Sequence, residues 1–190
     1  MTSVELPELW LPIILATVLI WLMSSIIHMV FKWHNSDYQS LGNEDEVMDA
    51  VRNSNASLGL HAFPFCLDME KMKDPEMQQK YAKGPVGFVL VLPNGMPNMG
   101  KLLGQQIGFM LLGCTLVAYA ATLALPAGAN YLEVFRFAMT VGFLTFGWAT
   151  IPFSIWYGLQ WPATFKFLLD SLIYGALIAG TFSWLWPEAM

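Results

Sequence analysis

Four apolar runs divide this chain of 190 residues, and each is long enough to cross a lipid bilayer. They cover Leu9 to Phe31, about Leu102 to Leu125, about Leu132 to Tyr157 and about Phe165 to Trp186. A helix rises about 1.5 Å per residue, so ~20 residues cross a hydrocarbon core of about 30 Å. Backbone polar groups inside hydrocarbon must be satisfied within the segment, which makes each run a helix. The charged fraction agrees: 12% of residues are charged, against roughly 25% in soluble domains. The first run does not read as a cleavable signal peptide, because Glu5 and Glu8 precede it and it is too long. Trp10 and Trp33 bracket it as interface anchors, while Trp156, Tyr157 and Trp161 cluster at one later boundary and Trp184 and Trp186 at another.

The basic residues orient the runs. Seven of the nine Lys and Arg lie between the first and second: Lys32, Arg52, Lys71, Lys73, Lys80, Lys83 and Lys101. Lys166 opens the fourth run, and the short loop Pro126 to Tyr131 has no basic residue. Positive charge favours the cytoplasmic side, so the expected arrangement places the insert inside and both termini outside. Arg136 alone opposes it. The predicted fold is an all-α membrane protein in which four transmembrane helices form a bundle, with a mixed helical and short-strand cytoplasmic insert between helices 1 and 2. Its divisions are 1–31 (N-terminus and first helix), 32–100 (insert) and 101–190 (helices two to four). A net charge of −5 with acids and bases interleaved excludes a nucleic-acid partner.

Two short helices are expected in the insert. Asn43 is placed as the cap of one running to about Arg52, with Glu46 as its capping-box partner. Asp74 caps the other, with Pro75 at its first position and Gly84 as its stop. Residues 85–93 are too short to span, and form either a buried strand or a segment on the membrane surface. Asn98 is placed as the cap of the second membrane helix.

Small residues recur every four positions on two membrane helices: Gly100, Gly104 and Gly108 on the second, and Ser171, Gly175, Ala179 and Ser183 on the fourth. Such faces let backbones approach, and both are expected to pack, within the bundle or against another chain. Counting from the helix ends puts His28, Gln105, Gln106, Ser154 and Asp170 at similar depth on the inner side. They form a predicted polar layer able to bind a ligand or carry protons. The plainer alternative pairs Asp170 with Lys166, one turn earlier. Arg136 is expected to pair with Glu133, or to meet a lipid phosphate or anionic partner.

Known chemistries leave little trace. His34 is six residues after His28 and is expected to fall off its face, so no paired-histidine haem site is predicted. His61, Cys66 and Asp68 lack the converging ligands that zinc needs. No metal, no cofactor and no catalytic residues are expected, and Cys66 and Cys114 are not expected to pair. The segments Lys73-Asp74-Pro75-Glu76-Met77, Lys83-Gly84-Pro85-Val86-Gly87-Phe88, Pro97-Asn98-Met99-Gly100-Lys101 and Ile155-Trp156-Tyr157-Gly158 resemble a family of uncharacterised bacterial integral membrane proteins. That resemblance implies a four-span protein of the bacterial inner membrane and transfers no functional residue. The expected function is a non-catalytic accessory or scaffolding subunit whose partners are the lipid bilayer and the subunits of a larger membrane complex. The alternative is a small transporter or proton-conducting protein using the layer around Asp170.

Overall fold

The structure, a computed structural model, describes residues 3–189. It is mainly helical, with α1 (Trp10–Ile26), α2 (Glu44–Asn53), α3 (Pro75–Lys83), α4 (Met99–Ala124), α5 (Tyr131–Phe146), α6 (Ile151–Trp156) and α7 (Trp161–Trp184), and one antiparallel pair of strands, β1 (Gly59–Phe63) and β2 (Gly87–Val91). Four helical stretches are long and apolar enough to cross a membrane: Leu6–Phe31, Met99–Ala124, Tyr131–Trp156 and Trp161–Trp184. The chain has the make-up of a multi-pass membrane protein.

Two compact units separate. The first combines the N-terminal segment through Tyr38 with Pro97–Ile155 and the chain from Leu159 onward, and the second holds Gln39–Met96 with Trp156–Gly158. The two ends of the segment assigned by sequence to the insert, 32–38 and 97–100, therefore belong with the long helices.

Within the first unit, α7 packs on α5 and α1, and α4 packs on α1 and α5. The core between them is apolar, with Leu9, Ile20, Val117, Val134, Ile178 and Phe182 fully buried. Helices α5 and α7 meet on small residues. A Cβ added at Gly142 would lie 3.1 Å from Gly175 Cα, and one at Gly175 would lie 3.0 Å from the Met139 carbonyl oxygen. At Gly147 an added Cβ would collide with the Ser171 hydroxyl. This is close backbone approach of the kind that drives association in lipid. The Ser171, Gly175 and Ala179 face is thus internal. The Gly100, Gly104 and Gly108 face is not used within the chain, since added Cβ atoms at Gly104 and Gly108 meet nothing within 4 Å.

The third apolar run is broken rather than continuous as expected. α5 ends at Gly147, a single turn covers Trp148–Thr150, and α6 resumes with Pro152 in its first turn. Proline cannot donate the hydrogen bond that an uninterrupted helix needs there, and its ring crowds the preceding turn. At the far end of these helices, Trp186 Nε1 donates to the Pro126 carbonyl at 2.9 Å, and Gly128 N donates to the Pro187 carbonyl at 2.8 Å.

In the second unit the strands pair in the register Leu60↔Leu90 and Ala62↔Phe88. Leu60, Phe88 and Leu90 point the same way and stay exposed. Within residues 85–93, Gly87–Val91 are therefore a half-exposed strand with a partner. The cap at Asp74 forms through the Glu76 amide at 3.0 Å, and Asn98 caps α4 through the Lys101 amide at 3.0 Å. Asn43 differs from expectation: its amide donates to the Glu46 carboxylate at 3.1 Å and no side-chain cap forms.

Candidate functional site

The site is built where α1 ends and α7 begins. After Ile26 the chain widens into one π-helical turn, Ile27–Phe31, and then reverses at Lys32, which adopts the left-handed conformation with φ 53°. A tight turn, Trp33–Asp37, follows and folds back onto α7. The reversal carries the His34 ring onto the His28 ring, with centroids 4.9 Å apart and planes 10° from parallel. Phe167 of α7 stacks on His34, centroid to centroid 4.7 Å. The expectation that His34 lies off the face of His28 fails because the intervening residues do not continue the 3.6-residue period.

Four charged side chains meet at this turn. His34 Nε2 lies 2.8 Å from Asp170 Oδ2, and His34 Nδ1 lies 2.8 Å from Asp37 Oδ2. Lys166 Nζ donates to Asp37 Oδ1 at 2.5 Å, to Ser36 Oγ at 2.7 Å and to the Trp33 carbonyl at 2.8 Å. Asp170 therefore pairs with His34 and not with Lys166. The spacing of four residues on α7 presents Lys166 and Asp170 side by side, and the facing turn supplies a partner for each. His34 and Asp170 are buried, 6% and 3% exposed, so each polar side chain needs its partner. Burial alone pushes the Asp37 carboxyl up, but the hydrogen bonds and charges of Lys166 and His34 outweigh it and hold it below the usual carboxylate range.

Two buried polar atoms remain unsatisfied among the described residues: Asp170 Oδ1 and Trp33 Nε1. They are an acceptor and a donor, and Trp33 acts on the Asp170 carboxylate, yet they form no hydrogen bond of acceptable geometry. His28 is exposed, and its Nδ1 lies 2.9 Å from the Ser24 carbonyl oxygen. It opens on a groove of about 380 Å³ between α1 and α4, whose lining includes Ser24, Ser25, Leu103 and Gln106. One ligating atom each from His28, His34 and Asp170 lie within 4.8 Å of one another, the one such grouping of three among the described residues.

Of the five residues assigned to a polar layer, the structure brings His28 and Asp170 together, through His34. Gln106 shares the groove with His28. Gln105 is exposed on α4 and joins neither. Ser154 is buried and hydrogen-bonded to Thr164 Oγ1 at 2.6 Å. Arg136 is exposed and makes no ion pair among the described residues, and Glu133 instead closes a capping box with Asn130. In the second unit His61 Nε2 contacts the Ser57 carbonyl oxygen at 2.8 Å, and the Cys66 thiol faces the Asp68 carbonyl oxygen at 3.3 Å. Cys66 and Cys114 are free thiols.

His34, Asp37 and Trp33 were missed by sequence reasoning. The available signal was the pair His34/Asp37, three residues apart at one helix end, facing the pair Lys166/Asp170, four apart at the next. Compared with known proteins, the chain matches no family model, no curated protein and no solved structure.

Proposed function

We propose that this protein is a non-catalytic multi-pass membrane subunit that docks a helix of another membrane protein on α4. In this reading the four long helices form a bundle in a bacterial inner membrane, with the Lys-rich insert cytoplasmic and both termini outside, as the distribution of basic residues favours. The observation that carries it is the open glycine face. Gly104 and Gly108 have space for side chains that the chain leaves empty, whereas the equivalent face of α7 is spent on α5. Small residues on a lipid-exposed helix give nothing to the fold of their own chain, but they let a second helix approach closely. Gln105 adds a second support: it is a polar side chain, exposed beside the glycine face, that an interhelical hydrogen bond would satisfy.

The test is purification from native membranes in gentle detergent, for wild type and Gly104→Leu. Stoichiometric membrane partners in the wild type are expected to be lost in the variant, with its own melting temperature not lowered, because a Cβ there meets nothing within 4 Å and Leu favours the helix over Gly. A wild type that elutes alone, or only with copies of itself, overturns the proposal.

A transporter or proton conductor working through Asp170 ranks second. The row Lys166, Asp37, His34, Asp170 favours it, and Tyr174, one turn past Asp170, meets Ser24, but past these the row does not continue. Further along the helices the buried hydroxyls of Thr17 and Thr181 donate to carbonyls of their own helices, and the neighbouring side chains are Ile20, Ala138, Ile178 and Phe182.

A further inference from the structure

We propose that His28, His34 and Asp170 bind one divalent metal ion of the zinc class. The first support is the state of both imidazoles. The Ser24 carbonyl can only accept, so the His28 nitrogen 2.9 Å from it, Nδ1, carries the proton. The Asp37 carboxylate, held by Lys166, likewise takes the Nδ1 proton of His34. Each ring is thus left with Nε2 as its basic atom. Tying Nδ1–H to a backbone carbonyl or a carboxylate is how proteins orient metal-ligating histidines, and here both rings are so tied. Lys166 fixes the orienting carboxylate in turn.

The second support is what His34 Nε2 faces. Asp170 Oδ2 is 2.8 Å away, so two basic atoms point at each other in a buried site and require a cation between them. Asp170 Oδ1 beside them is buried and has no hydrogen-bond partner. A shared proton neutralises one oxygen and leaves the other orphaned, whereas a divalent ion draws on the whole carboxylate. The third support is convergence. Ligands of one tetrahedral zinc ion, each about 2.0–2.2 Å from it, stand roughly 3.4 Å apart, and one ligating atom from each of the three residues lies within 4.8 Å of the others. His34 and Asp170 need to part slightly. His28 needs to slide off its stack on His34 with Nδ1 still on the Ser24 carbonyl, which its exposure permits. The groove at His28 gives an approach route to that ligand. Two imidazoles and a carboxylate suit zinc and its borderline neighbours and disfavour calcium or magnesium, which take oxygen ligands.

The full chain in detergent, stripped with a chelator, is titrated with cobalt(II) and then with zinc. One cobalt per chain is expected, with the visible absorption of a low-coordinate site, bleached by zinc. His28→Ala is expected to weaken binding at least tenfold, the lower end of the roughly 10–100-fold that even outer-shell changes cost. His61→Ala, in the second unit, leaves it unchanged. Asp170→Asn should also abolish the spectrum, and His28→Ala keeps the test open if that buried variant fails to fold. Absence of a stoichiometric spectrum means the cluster holds only a proton and overturns the proposal. So does binding that His28→Ala leaves intact, or that His61→Ala removes.

Discussion

Gly147→Ala tests the seam that holds α5 against α7 and sets the position of Asp170. The added Cβ would collide with Ser171 Oγ and stand 2.6 Å from Ser171 Cβ and 3.2 Å from the Phe143 carbonyl oxygen. Rotating the hydroxyl away does not relieve it, because the Cβ stays and Oγ would lose its 2.7 Å hydrogen bond to the Leu168 carbonyl. Overpacking of this kind costs about 1–3 kcal/mol. Gly147 lies outside α5, so the ~1 kcal/mol helical advantage of Ala over Gly does not offset it. Ser171→Gly removes both clashing atoms and alone costs about 0.5–1 kcal/mol in helix propensity. The double variant should therefore be more stable than the sum of the singles by about 1–2 kcal/mol, within the coupling expected of touching residues. The contact with Phe143 persists, so rescue stays incomplete. Reversible unfolding in mixed micelles, followed by tryptophan fluorescence, measures all four corners of the cycle. Additivity within about 0.5 kcal/mol, or a Gly147→Ala protein as stable as wild type, refutes the packing argument.

Lys166→Met should destabilise the first unit by about 2–4 kcal/mol, since it leaves Asp37 in a site where its carboxylate is 10% exposed. Lys73→Met, which removes an exposed pair with Glu70, should change stability by less than about 1 kcal/mol in the same unfolding assay. Ser154→Ala should cost about 1–3 kcal/mol, because it strands the fully buried Thr164 hydroxyl. Adding Thr164→Val should recover part of the loss, and a double variant worse than the single refutes that reading. Trp186→Phe deletes the hydrogen bond to Pro126 and shrinks a buried ring, and should cost about 1–3 kcal/mol, read as a lower unfolding midpoint.

The four spans were legible because hydropathy is a property of the sequence averaged over ~20 residues, and the bilayer thickness supplies the cut-off. Asp74 and Asn98 were legible as caps because capping is settled within three residues. What failed depended on which face of a helix meets another. Gly104 and Gly175 carry the same spacing and the same chemistry, yet one is open and the other is in backbone contact. Nothing along the chain distinguishes them, since close approach is a relation between two helices.

The charged cluster was missed for a narrower reason. Face arguments extrapolate the 3.6-residue period, and residues 27–37 abandon it through a π turn, a left-handed Lys32 and a tight turn. That departure turns His34 and Asp37 from interface residues into buried partners of α7. A buried charged group requires a partner nearby, and the first unit provides one twice at one corner, with Lys166 on Asp37 and His34 on Asp170. The pairing is also asymmetric. Lys166 has three acceptors and Asp37 two partners, while one Asp170 oxygen faces only His34 Nε2 and the other has no hydrogen-bond partner. If the corner served only to anchor the turn, the completed Lys166–Asp37 end would suffice, and an uncharged side chain at position 170 would spare the desolvation of a second carboxylate. The unmet oxygen belongs to the carboxylate that clusters with His28 and His34, and it is there that a ligand has something left to bind.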